Sequence, residues 1–311
     1  MTAAPQPGLV IANFGQSLLV EAGDGTTCAC VARKSAGQPV CGDRVRWQAA
    51  REPGHGAVVA VEPRRSLLAR PDARGRMKPL CANIDQLVVV SAVPAQGAAG
   101  FAAPGINRSL LDHYLVTAEL LGLDAVLLVN KCDLADEPLA MQLREDCASY
   151  RAAGYATHFV SARTRHGLDA LDARLRGRTS VFVGESGVGK SSLLQALLPD
   201  RAIRIGALSE AGGKGRHTTT STLLFHLPHG GDIIDSPGVR EFRLWRLGPA
   251  ELARGFREFE PYLGHCRFRD CRHDGEPGCA VARGHAEGRI SAQRLDSYRA
   301  MLRGLPAPEY D

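Results

Sequence analysis

The chain has 311 residues, 44% of them hydrophobic and 23% charged, with a formal net charge of +5. That length exceeds an ordinary single-core domain, so more than one compact unit is expected, and the composition excludes disordered and fibrous classes. No run approaches the roughly 18 uninterrupted apolar residues of a membrane span, and residues 1–8 lack the pattern of a signal peptide, so a cytoplasmic protein with no membrane partner is expected.

Residues 9–61 hold short β-like runs at 10–14, 17–21, 27–32, 44–47 and 57–61, divided by turns such as Ala22-Gly23-Asp24-Gly25. Such spacing predicts a small barrel, OB-like or SH3-like. The Arg- and Pro-rich segment 67–80 reads as a linker. From Ile84 onward, almost continuous apolar runs at 87–90, 125–129, 158–160, 181–183 and 233–234 alternate with helical segments at 109–121, 138–153, 168–175 and 190–198. Strands buried on both faces and alternating with helices predict a doubly wound, mainly parallel α/β sheet. After Leu244 the apolar runs stop, and Cys and His residues cluster ahead of a helix-like tail at 290–302.

Gly184-Glu185-Ser186-Gly187-Val188-Gly189-Lys190-Ser191, with Ser192 behind it, matches G-x-x-x-x-G-K-S/T between a predicted strand and helix. Its glycines let backbone N–H groups converge on phosphate oxygens at a helix N-terminus. Lys190 is expected on the β and γ phosphates and Ser191 on Mg²⁺. Asn130-Lys131-Cys132-Asp133 follows the apolar run 125–129. Asp133 can accept both the ring N–H and the amino group of guanine, a donor pair that adenine lacks, and an unsatisfied carboxylate penalises adenine. Asn130 is expected to brace the loop, and Lys131 to lie over the base or sugar. Ser161-Ala162 ends the run at 158–160, where the Ala162 N–H can meet guanine O6. Asp235-Ser236-Pro237-Gly238 follows Ile233-Ile234. Asp235 suits Mg²⁺ through water, and Gly238 suits sensing of the γ-phosphate.

Here the base motif precedes the phosphate loop, the reverse of the usual GTPase order, which makes the chain a circular permutation. The residue after Gly238 is Val239, which cannot orient a water as the usual Gln does. His217, in the Gly-loosened segment Gly213-Lys214-Gly215-Arg216-His217-Thr218-Thr219-Thr220, is the candidate in its place, with Thr219 completing the Mg²⁺ contacts.

Nine cysteines, an odd number beside a nucleotide motif, fit a reducing compartment better than a disulfide framework. Cys266, Cys271, His273 and Cys279 supply three thiolates and an imidazole, the ligand set of one structural Zn²⁺ per chain. Because few apolar residues surround them, metal is expected to organise the segment. His265 and His285 rank below His273 as ligands, and Cys28, Cys30 and Cys41 read as small buried thiols in the barrel.

The permuted order, the segment around His217, the run from Asp235 to Phe242 and the Cys/His cluster together resemble the bacterial ribosome small-subunit-dependent GTPase A (RsgA) family over nearly the whole chain. The resemblance implies an OB-fold at residues 1–66, a permuted GTPase domain at 67–244 and a zinc domain at 245–311. It also implies GTP hydrolysis to GDP and phosphate, stimulated by the small ribosomal subunit, and a role in late maturation of that subunit through contacts with its rRNA. The family's histidine in place of the usual Gln matches His217. One departure is Arg163, where many GTPases have Lys after Ala162; little depends on it if the base contact there is a backbone N–H. A monomer is expected. The competing reading is an RNA-binding scaffold that uses GTP as a conformational switch with negligible turnover.

Overall fold

The computed structural model describes residues 4–15, 17–52, 54–72, 75–93, 106–200, 222–236 and 247–305. Strands β1 (Gln6–Asn13), β2 (Leu18–Ala22), β3 (Thr27–Ala32), β4 (Arg44–Ala49) and β5 (His55–Val61) fall on the five runs read from the sequence. Their side chains alternate across the sheet: in β4, Val45 and Trp47 point inward while Arg44 and Arg46 face solvent. The order β1-β2-β3-β5-β4 closes on itself through β1–β4 pairing, which selects the OB arrangement over the SH3-like one. Cys28 and Cys30 fill its core beside Val10, Val20, Val45, Trp47 and Val58. Cys41, expected there too, packs instead into the larger core of the central sheet.

Residues 67–80 are not a linker. They build an antiparallel hairpin of β6 (Leu67–Pro71) and β7 (Met77–Ala82). Its few apolar side chains, Leu68 and Cys81, are directed into the main core, so it carries an inward face that its Arg and Pro content disguised. Pro79 is accommodated beside the irregularity at Leu68/Ala69, where the ladder needs no regular donor.

The central sheet runs β10 (Ala156–Phe159), β9 (Asp124–Asn130), β8 (Gln86–Ala92), β11 (Thr179–Val183), β13 (Asp232–Asp235) and β12 (Thr222–His226). All neighbours are parallel except β12 and β13. Leu87, Val88, Val89 and Val90 of β8 are at most 2% exposed, as a strand covered on both faces requires. Strand β12 escaped the sequence reading. It pairs with β1 through Ala12↔Leu223 and Asn13↔Thr222, so barrel and central sheet form one continuous eleven-stranded sheet.

Helices α1 (Arg108–Leu120), α2 (Glu137–Asp146), α3 (Ala148–Ala152), α4 (Leu168–Leu175) and α5 (Lys190–Leu197) cover the sheet. Asn107 and Asp136 cap α1 and α2 by accepting from the N–H groups of Leu110 and Leu139. The single helix expected over 138–153 divides at Cys147, whose N–H is shared between the carbonyls of Leu143 and Glu145. No helix among the described residues is long and apolar enough to cross a membrane.

The C-terminal unit contains α6 (Pro249–Arg254), a 3₁₀ segment (Arg257–Tyr262), α7 (Ala280–Ala286) and α8 (Ala292–Arg303). It is richer in core than its sequence suggested: Leu252, Phe256, Phe259, Ile290, Tyr298 and Leu302 pack together with Val116 of α1. The aromatic residues are spaced irregularly along the chain, so no periodic run announced them. Arg294 of α8, 1% exposed, pairs with Asp112 of α1 and Glu258, tying this unit to the central domain.

Candidate nucleotide site and metal centre

The carboxyl ends of β9, β10, β11 and β13 lie along one edge of the sheet, the edge at which open α/β sheets hold ligands. They deliver, in order, Asn130, Ser161, Gly184 and Asp235. The permutation therefore alters which segments are covalently joined and leaves the motifs assembled at one place.

Residues 184–189 turn from β11 into α5 with Gly184, Gly187 and Gly189 at φ of 139°, 82° and 91°. A Cβ at Gly184 would sit 2.1 Å from the Val90 carbonyl oxygen, and one at Gly189 would sit 2.4 Å from Asn130 Nδ2. Glycine is therefore required by conformation and by close approach. Lys190 Nζ donates to the carbonyls of Gly184 at 2.7 Å and Glu185 at 2.5 Å, which holds its ammonium over the loop's mouth. Asn107 Nδ2 donates to Glu185 Oε1 at 2.6 Å, so the cap of α1 also touches the loop.

The base motif clasps this loop directly. Asn130, 1% exposed, donates through Nδ2 to the Val188 carbonyl at 2.9 Å and accepts at Oδ1 from the Ala162 N–H at 3.3 Å. Lys131, left-handed at φ 61°, sends Nζ to the Gly187 carbonyl at 2.7 Å. Asp133 Oδ1 accepts from Ser161 Oγ at 2.5 Å, and Oδ2 accepts from Arg163 Nε at 2.8 Å. The Ser161 hydroxyl first, and then Arg163, hold the Asp133 carboxyl below the usual carboxylate range. The structure thus brings Asn130, Lys131, Asp133, Ser161, Ala162, the loop 184–189, Lys190 and Ser191 together. The role of Arg163 escaped sequence reasoning, although its charge beside an expected carboxylate was a signal. The Asn107 contact depends on a fold-level approach and carried none.

Asp235 closes β13 beside β11, and the next residue, Ser236, shares a 3.0 Å hydrogen bond with Thr222 of β12. His217, Thr219 and Gly238 lie outside the described residues. A cleft of about 500 Å³ lies elsewhere, between α1 and α8. An open nucleotide groove made of backbone does not need an enclosed cavity, so the motifs locate the site better than volume does.

The Cys/His cluster forms the second centre. Cys266 Sγ, Cys271 Sγ and Cys279 Sγ stand 3.5, 3.6 and 3.4 Å from His273 Nδ1, and all four ligand atoms lie within 4.8 Å of one another. A tetrahedral ion with usual Zn–S and Zn–N lengths needs an S···N edge of about 3.6 Å, so the donors fit such an ion. N–H groups of Ala280 and Ala282 point at the sulfurs of Cys266 and Cys279, supporting thiolate charge. His273 adopts a left-handed φ of 62°, a conformation that aims its ring into the cluster. Tyr298 braces the turn through a 2.6 Å bond to the Arg272 carbonyl. His265 and His285 stay outside the cluster; His285 Nδ1 bonds the Ile290 carbonyl.

The family model of the RsgA GTPase matches residues 61–245, spanning the hairpin, the central sheet and both nucleotide motifs. The chain belongs to the RsgA GTPase family. It is 51% identical to a small ribosomal subunit biogenesis GTPase of Azotobacter vinelandii, over 98% of this chain and 87% of that one. The counterpart in Pseudomonas syringae pv. tomato is 47% identical over the same shares. Among solved structures, YjeQ from Thermotoga maritima matches with a TM-score of 0.78 and 31% identity, covering 97% of this chain and 98% of that one. YloQ, described as a circularly permuted GTPase, matches at 0.75 and 26% identity, covering 98% and 97%. Both solved structures match over nearly the whole of this chain, whose fold holds the barrel, the permuted α/β domain and the Cys/His unit read from the sequence.

Proposed function

We propose that this chain binds GTP at the shared sheet edge, hydrolyses it to GDP and phosphate, and acts in late assembly of the small ribosomal subunit, which stimulates the reaction. The observation that carries this reading is the clasp of base motif on phosphate loop, Asn130 to Val188 and Lys131 to Gly187, in a member of a family whose curated relatives are named small ribosomal subunit biogenesis GTPases.

The backbone N–H groups of 184–191, with Ser192, cradle the phosphates. Lys190 moves from the loop carbonyls to the β and γ oxygens, exchanging two neutral acceptors for an anionic one. Asp133 selects guanine and the Ala162 N–H meets O6, while Ser161 orients Asp133 and Asn130 braces the two loops. Ser191 and Thr219 hold Mg²⁺, with Asp235 behind it, and that charge offsets the phosphate oxygens. Gly238 senses the γ-phosphate, and His217 positions the attacking water where Val239 cannot. Cys266, Cys271, His273 and Cys279 hold one structural Zn²⁺. We divide the chain at 1–66, 67–244 and 245–311. It works as a monomer in the cytoplasm, where the barrel and the Arg-rich metal unit meet rRNA.

The test is GTP hydrolysis by the full chain with and without purified small ribosomal subunits, with Lys190→Ala as control. Strong stimulation, lost in the variant, is the expected result. Unchanged turnover at every subunit concentration would remove the ribosomal reading, and equal binding of adenine and guanine nucleotides would remove the base assignment. His217→Ala should slow single-turnover hydrolysis without changing nucleotide affinity.

A further inference from the structure

Asp133 is the group through which the proposed site reads guanine, yet both of its carboxylate oxygens already have donors from the chain. Ser161 Oγ occupies Oδ1 at 2.5 Å, while Arg163 Nε and its terminal nitrogen both converge on Oδ2 at 2.8 Å. A guanidinium repeats the donor edge of guanine. The ring N–H, the carbon beside it and the exocyclic amino group form the same N–C–N unit that Arg163 presents. The Asp133 side chain is 11% exposed beneath Arg163, which is itself 74% exposed, so the guanidinium folds over the carboxylate from solvent. Arg163 can leave without opening any packed structure. Beside it, the Ala162 N–H is held by Asn130 Oδ1 at 3.3 Å, a long bond that an incoming O6 can replace.

We propose that Arg163 is a specificity-determining residue that stands in for guanine in the empty site, keeping Asp133 paired until the base displaces it. The inference rests on the reading of Asp133 as the guanine-binding group. Without Arg163, Oδ2 would exchange a charge-assisted pair for water, and the nucleotide-free state would be modestly less favourable. Arg163 therefore stabilises the nucleotide-free protein, weakens guanine nucleotide binding and favours release. It also narrows the preference for guanine over hypoxanthine. Hypoxanthine lacks the amino group and claims only one carboxylate oxygen, so it leaves Oδ2 to Arg163 and gains less when Arg163 is removed.

The test measures dissociation constants of GDP, IDP and ADP by titration calorimetry for wild type, Arg163→Ala, Asp133→Ala and the double variant. An exposed ion pair of this kind is worth about a two- to fivefold change in affinity. Arg163→Ala should bind GDP about two- to fivefold more tightly at low salt, gain less for IDP, and lose the gain as salt screens the pair in wild type. Between Asp133→Ala and the double variant the gain should vanish. Equal or weaker GDP binding by Arg163→Ala would overturn the proposal, as would an equal gain for GDP, IDP and ADP. If wild type itself binds GDP no better than ADP, the guanine reading fails first and the inference falls with it.

Discussion

Replacing Arg294 with Met should destabilise the protein more than any single change on its surface. Arg294 is 1% exposed, its guanidinium pairs with Asp112 and Glu258, and the Asp112 side chain is fully buried. Removing the cation leaves both Asp112 and Glu258 without their countercharge at the seam between α1 and α8, a loss of about 3–5 kcal/mol for a broken buried pair. The guanidinium also lies 4.5 Å from the centre of the Phe256 ring, so Met recovers some packing there and none of the charge. Urea unfolding followed by circular dichroism reads the effect directly, as a lower midpoint with little change in slope. The deficit should depend on pH with a definite sign. Burial already raises the Asp112 carboxyl above its ordinary value of 3.8, with Arg294 opposing the rise. Without Arg294 the folded pKa climbs further, so the folded state holds a proton that the unfolded state has lost. Stability then falls as pH rises from the unfolded value through the folded one, and Arg294→Met should be closer to wild type at pH 5 than at pH 8. Adding Asp112→Leu should restore part of the loss, because the fully buried charge is then gone and only Glu258 stays without its cation. A deficit below about 1 kcal/mol at pH 8, or one that grows as pH is lowered, would refute the account.

Metal analysis should find one zinc per chain, and Cys279→Ser should reduce it. Because Phe256, Leu295, Tyr298 and Leu302 add apolar packing beside the ligands, hydrogen exchange should accelerate over residues 266–286 more than over α8; unchanged exchange over 266–286 would deny the ion its structural role. His226 bridges β12 to the barrel, contacting Asp232 at 2.6 Å and Glu21 at 2.8 Å. The Asp232 hydrogen bond chiefly, with Glu21, raises its pKa from 6.5 to about 9. The stabilisation is therefore fully present below about pH 6.5 and is lost as pH rises through about 9. The ring is half exposed, so screening leaves about 1 kcal/mol at stake, and His226→Gln should flatten the stability profile in that window; an identical profile would remove the bridge from the account.

The sequence alone determined the chemistry that is local. The phosphate loop, Asn130 to Asp133 and the Cys/His set are each contiguous or closely spaced, and backbone conformation at Gly184 or ligand type at Cys266 is dictated within a few residues. The sheet strands were readable for a similar reason: a strand covered on both faces, such as β8, must be apolar throughout. Tertiary structure decided what depends on distant partners. Residues 67–80 are a hairpin because the core receives Leu68 and Cys81, and β12 forms because β1 and β13 flank it with unpaired backbone. Arg294 and Asp112 lie 182 positions apart, and no local pattern could announce that pair. Arg163 belongs to this second class although it is only 30 positions from Asp133. Its position after Ala162 was readable as a departure, but its hold on the carboxylate follows from the parallel alignment of β9 and β10, which sets their carboxyl ends side by side.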